Sequence, residues 1–356
     1  MTDLDSTQPA DAGGPGARTP LGAFGGSAEA RIWPLGLYAP APVRDDERLG
    51  AEVDERLVEW CREVGIYTEN LDYLRSCRFG RLVMLTCPFT DDPDRLLLIA
   101  RWMVALFATD DYVADDERFG AVNELVAERL TFAMSVMDPP HHVGEYAGEI
   151  EAHLHDHPVF GALSSSLGHI ARYATPSQLA RIRHETLALF FTWTAEAMWR
   201  ISGRTPALWE FLAERQHNSF LAAMSAIDVV YGYELPANVY SHPEVRRAVR
   251  LAADAATLVN DIYSVPKESE TAIGDFNLPT IIAHERGCSL PEAIERSVAH
   301  DNTIVRAFET ACRELEPGAS PELKRFLNEL WAWMGGNREW HSSSARYRVA
   351  TDPEQA

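Results

Sequence analysis

ARWMVALFATDDYVADDE, residues 100–117, is an apolar helix that runs into a cluster of carboxylates. For about three turns it buries one face through Trp102, Met103, Leu106 and Phe107. It then meets Asp110, Asp111, Asp115, Asp116 and Glu117. Carboxylates this close raise one another's pKa, and burying them unpaired is costly. A hard divalent cation such as Mg²⁺ relieves both, typically held by one or two protein carboxylates, substrate phosphate oxygens and water. The cluster reads as one half of a metal–diphosphate site. Taken alone, it reads equally as a solvated helix end running into an acidic loop.

At 356 residues and 46% hydrophobic, the chain can bury a large core as one big domain or two ordinary ones. No run reaches the ~18 apolar residues of a membrane span, and the N-terminus lacks a basic-then-apolar leader pattern, so a soluble cytoplasmic protein is expected. Five scattered cysteines without CxxC spacing suggest reduced structural thiols. A net charge of −21 argues against nucleic acid or an anionic membrane as partner. An acidic protein that binds a polyanion must do so through local cations, either metal or arginine.

Residues 1–30, rich in Gly, Pro and Ala, read as a disordered tail, and 351–356 as a second short one. Residues 31–45 form an extended, Pro-punctuated lead-in whose Trp33, Leu35, Leu37 and Tyr38 are placed against the folded body. From 46 to 350 the pattern is that of one all-α domain. Helices are predicted over 49–64, 95–109, 122–137, 176–200, 208–230, 244–265, 290–315 and 321–342.

A second wall for the site lies in LVNDIYSVPKE, residues 258–268. Asn260, Ser264 and Glu268 stand four apart, drifting only ~40° per step on a helix, and offer amide, hydroxyl and carboxylate oxygens along one face. Pro266 is expected to kink or end that helix, with Glu268 past the kink. Lys267 beside it can meet an anion directly. Arg215, in LAERQHNSFLAAM, and Arg346-Tyr347, in HSSSARYRV, complete a diphosphate clamp, because guanidinium pairs bidentately with phosphate. For either arginine alone, a surface ion pair is the ordinary alternative.

Trp102, Phe107, Phe190, Phe191, Trp193, Trp199, Phe220, Tyr231, Trp331, Trp333 and Trp340 are assigned to the interior. Packing accounts for most of them; the others, with Phe107 and Trp331 taken as substrate-facing, form a dry pocket whose ring faces stabilise a cation by ~1–2 kcal/mol each. His153, His155 and His157 imitate a zinc cluster but lack its spacing, and are read as a polar interhelical loop.

These residues resemble the signature set of the bacterial class I terpene synthases: Asp110-Asp111 through Asp115, Asn260 through Glu268, Arg215, and Arg346-Tyr347. Within that family, RLVEWCREVGIY, FGRLVMLTCPFTDDPDRLLL, ARYATPSQLARIRHE, GYELPANVY and WAWMGGNREWHSSSARY are similar to 2-methylisoborneol synthases. The resemblance implies a helical barrel around an apolar cavity, binding three Mg²⁺, with Mn²⁺ as an alternative. Asp110, Asp111, Asp115, Asn260, Ser264 and Glu268 would hold metal; Arg215, Lys267, Arg346 and Tyr347 would grip diphosphate. Asp110, Asp111, Arg215 and Tyr347 are taken as catalytic. The implied substrate is (E)-2-methylgeranyl diphosphate, supplied by a partner methyltransferase from geranyl diphosphate. Water capture of a 2-methylbornyl cation yields 2-methylisoborneol, and proton loss yields 2-methylenebornane. Other mono- or sesquiterpene cyclases share this chemistry. A chain-elongating prenyltransferase would need a second Asp-rich motif, and a non-catalytic isoprenoid-diphosphate-binding helical protein is the reading from another class. A homodimer, and docking of the N-terminal tail into a protein shell, are left open.

Overall fold

The computed structural model describes residues 30–115, 120–139, 142–268 and 276–347. The 1–30 tail, apart from Ala30, and the 351–356 tail lie outside the described residues. The lead-in forms a small antiparallel hairpin, β1 (Ala30–Ile32) with β2 (Tyr38–Pro40). Leu37 is fully buried beneath it, while Leu35 is 56% exposed and does not join the body as expected. A positive φ of 65° at Leu35 turns that side chain outward between the strands.

The helices follow in order: α1 (Glu47–Val64), α2 (Leu71–Cys77), α3 (Phe79–Thr86), α4 (Pro93–Thr109), α5 (Val126–Met137), α6 (Ala147–Asp156), α7 (Pro158–Ile170) and α8 (Pro176–Ser202). They continue as α9 (Leu208–Arg215), α10 (Leu221–Met224), α11 (Ile227–Val230), α12 (Ala237–Tyr240), α13 (Pro243–Glu268), α14 (Leu278–Arg286), α15 (Leu290–Leu315) and α16 (Pro321–Ser343). Starts are set by local chemistry. Asp46, Asp92, Thr175, Ser289 and Ser320 each accept a backbone N–H of the first turn, and a proline opens four of those five helices. Gly65, Gly203 and Gly287 stop α1, α8 and α14 in the left-handed conformation.

Three expectations are corrected. The single helix predicted over 208–230 is three pieces, α9 to α11, broken at residues 216–220 and 225–226. Asn218 and Ser219 favour such breaks because their side chains compete for backbone partners. His153 and His155 lie within α6, and His157 caps α7 by accepting from the Val159 amide at 3.3 Å, so this region is helical rather than a loop. Pro266 does not end α13: the backbone stays helical to Glu268.

The long helices α13, α15 and α16 pack together on one side, and α1, α3, α4 and α7 on the other. Trp102, Trp333 and Trp340 are fully enclosed in the principal core. The two sides join where α16 crosses α3 at Gly336, whose missing Cβ would stand 2.3 Å from the Leu85 carbonyl oxygen. Only glycine permits backbones to approach this closely. Among the described residues, no helix is long and apolar enough to cross a membrane.

Candidate active site

The acidic wall begins where α4 loosens. Residues Asp110–Asp115 continue as a wider π-type turn, which rotates successive side chains away from the ideal helical faces. Asp111 swings inward and is 7% exposed. It accepts the Tyr67 hydroxyl at 2.5 Å and pairs with the Arg346 guanidinium at 3.2 and 3.5 Å. Burial, with the neighbouring Asp111 charge, holds the Tyr67 phenol well above its ordinary range, so it stays a donor. Asp110 faces the central cavity. The Asp115 side chain lies outside the described residues.

The opposite wall is α13. Asn260 faces the same cavity, and its amide nitrogen donates to the Tyr347 hydroxyl at 2.8 Å and lies 3.2 Å from His341 Nε2. Ser264 is buried one turn on, its hydroxyl 3.3 Å from the Asp261 carbonyl oxygen. The side chains of Lys267 and Glu268 lie outside the described residues. Burial, reinforced by the Arg346 cation, lowers the His341 pKa to about 3, so the ring is neutral at physiological pH.

Arg215 ends α9 and reaches the cavity from the break after it. Its Nε lies 3.1 Å from the Asp261 carboxylate, which its Nη2 also contacts closely. Its Nη1 donates to the Asn218 carbonyl at 2.7 Å. Burial opposes the charge, but Asp261 outweighs it and raises the guanidinium pKa. Asp261 also accepts the Leu278 amide at 3.1 Å, tying α9, α13 and α14 at one point.

Between the walls lies a cavity of roughly 870 Å³, its mouth included. Phe107, Trp193, Phe220 and Phe276 supply its rings, with Met103, Leu106 and Leu189 between them. Phe107 and Phe220 meet edge to face at 6.5 Å. Trp331, expected to face substrate, instead stacks on Phe308 of α15 at 6.1 Å and is absent from the cavity lining. Phe191, assigned to the interior, is 70% exposed on the outer face of α8.

Several contributors were not legible in the sequence. Tyr67 precedes a short turn with φ 54° and reaches Asp111 only through folding. Asn218 is held by Trp193 Nε1 and by the Glu196 carboxylate, at 3.2 and 2.9 Å. Arg200 donates to the Ala114 carbonyl at 3.0 Å, adding a guanidinium to the cavity beside the acidic turn. The only cue was the i, i+4 spacing of Glu196 and Arg200.

Among the described residues, no three His, Cys, Asp or Glu side chains gather as a ready metal cage. The donors described are mixed: a carboxylate from Asp110, an amide from Asn260 and a hydroxyl from Ser264. Such hard oxygens fit a cation that keeps water and substrate oxygens, rather than one fully caged by protein.

Residues 101–300 match the sequence model of terpene synthase family 2, C-terminal metal binding. The 2-methylisoborneol synthase of Saccharopolyspora erythraea is 33% identical over 316 residues, covering 88% of this chain and 89% of that protein. The 4-epi-cubebol synthase of Streptosporangium roseum, which cyclises (2E,6E)-farnesyl diphosphate, is 26% identical over 84% of this chain and 88% of its own. The crystal structure of 2-methylisoborneol synthase from Streptomyces coelicolor A3(2), in complex with Mg²⁺ and 2-fluoroneryl diphosphate, superposes with a TM-score of 0.83 at 35% identity, covering 90% and 98% of the two chains. The fold is thus the all-α class I terpene synthase fold, and the chain belongs to terpene synthase family 2 as a metal-dependent terpene cyclase.

Proposed function

We propose that this enzyme ionises (E)-2-methylgeranyl diphosphate and cyclises it to 2-methylisoborneol, using three Mg²⁺. The observation that carries the reading is that Asp110 and Asn260, from separate helices, line one cavity together with Phe107, Trp193, Phe220 and Phe276. Likeness to 2-methylisoborneol synthases at 33–36% identity supports the product. A solved relative that binds geranyl-S-thiolodiphosphate with Mg²⁺ supports a ten-carbon chain.

On this reading Asp110, Asp111 and Asp115 from one motif and Asn260, Ser264 and Glu268 from the other would hold the metal. Bound Mg²⁺ supplies Lewis-acid stabilisation of the departing diphosphate. Arg215, Lys267, Arg346 and Tyr347 receive that anion, the arginines through bidentate hydrogen bonds. The ring faces of Phe107 and Phe220 then hold the carbocation by quadrupole attraction in a space that excludes bulk water. The substrate's extra methyl requires a methyltransferase acting on geranyl diphosphate.

Incubation of the purified protein with geranyl, 2-methylgeranyl, farnesyl and geranylgeranyl diphosphates plus Mg²⁺, with analysis of the volatiles, tests the proposal. 2-Methylisoborneol from the methylated substrate is expected. Predominant 2-methylenebornane would replace water capture with proton loss, and turnover of farnesyl diphosphate alone would overturn the ten-carbon assignment.

A further inference from the structure

His341 sits on α16 directly behind Asn260. Its ring is 1% exposed, stacked on Tyr347 at 4.7 Å and flanked edge-on by Trp340 at 4.9 Å and Phe220 at 6.0 Å. Packing on three sides holds the ring in one orientation. Its Nδ1 lies 2.8 Å from the carbonyl oxygen of Asn337, one turn earlier on the same helix. A carbonyl only accepts, so Nδ1 carries the hydrogen. The atom 3.2 Å from Nε2 is the Asn260 amide nitrogen, which only donates, so Nε2 is the acceptor. The second amide hydrogen goes to the Tyr347 hydroxyl at 2.8 Å. With both hydrogens engaged behind it, the amide can present only its oxygen to the cavity that Asn260 lines.

We propose that His341 is a positioning residue that fixes the Asn260 amide with its oxygen toward the metal site. The inference rests on the reading of Asn260 as a metal ligand. The relay runs from the Asn337 carbonyl through His341 to Asn260, and it selects one of two amide orientations that differ little in shape. The opposite orientation would offer an NH₂ group to a cation and leave the Nε2 lone pair without a donor.

The test follows thermal unfolding of the full chain with inorganic pyrophosphate while Mg²⁺ is titrated. His341→Phe keeps a ring of similar footprint without an acceptor, and should need at least about tenfold more Mg²⁺ for the half-maximal shift. His341→Gln places an amide oxygen near the position of Nε2 and should return the midpoint close to that of the unmutated protein. Asn260→Leu should lose most of the response. An unchanged midpoint in His341→Phe alongside a lost response in Asn260→Leu overturns the role of His341 and leaves the ligand reading standing. A normal response in Asn260→Leu overturns both. Independently of any variant, the ¹⁵N resonances of the unmutated protein should show His341 protonated at Nδ1 and bare at Nε2; the reverse tautomer overturns the inference.

Discussion

The Arg346 guanidinium and the Asp111 carboxylate stand 3.2 Å apart, bringing the C-terminal turn onto the end of α4. Both groups are largely buried, and the proposed diphosphate clamp and metal wall therefore satisfy each other in this structure. Removing one partner of a buried pair leaves the other uncompensated, at ~3–5 kcal/mol. Arg346→Ala should lower the melting temperature and reduce turnover by roughly 10²–10³-fold. A variant that melts and turns over like the parent would sink the clamp.

Phe107 and Phe220 meet edge to face in the wall of the cavity. Phe220→Leu keeps the volume nearly constant but removes a ring face worth ~1–2 kcal/mol to a nearby cation. Diphosphate release should persist while the ratio of cyclic to acyclic products falls roughly 5–30-fold. An unaltered product ratio would show that this ring only packs.

Asp301 lies in the middle of α15, 1% exposed, and its Oδ1 has no hydrogen-bond partner among the described residues. Burial raises its pKa well above the carboxylate range, so the folded protein holds it protonated. Asp301→Leu should stabilise the fold by roughly 1–3 kcal/mol near neutral pH, measured by denaturant unfolding. Loss of stability in that variant would refute the account.

Glu329 of α16 accepts from Tyr233 at 2.6 Å and Arg325 at 2.8 Å, yet burial still raises its pKa to about 8. The folded carboxyl keeps its proton over a range where the unfolded one has lost it. Its contribution to stability is therefore complete below the unfolded value and is lost as pH rises toward 8, at up to ~1.4 kcal/mol per pH unit. Thermal unfolding between pH 5 and pH 8 should show this decline, with a shallower slope in Glu329→Gln. Equal slopes in the two proteins would assign the dependence to other groups.

The helical class, most long helices and the two oxygen-rich stretches were legible in the residues, because amphipathic spacing and paired acidic or amide donors are local properties. Asp110 and Asn260 could be placed on facing walls from their motifs, and Arg346-Tyr347 from its resemblance to a known pattern. Local pattern also misled: the apolar run over 208–230 carried no sign strong enough to place its breaks, and Trp331 looked as substrate-facing as Phe107. Which way a ring on α16 points depends on the helices packed against it.

Sequence by itself therefore determined an all-α chain with hard-donor motifs borne on separate helices. Only the tertiary structure decided that Tyr67 and Arg346 converge on Asp111, that Asp261 rather than solvent holds Arg215, and that His341 stands behind Asn260. The physical reason is range. Helical periodicity and capping act over a few residues, whereas these contacts join groups 44 to 235 positions apart and exist only once the core has closed around them.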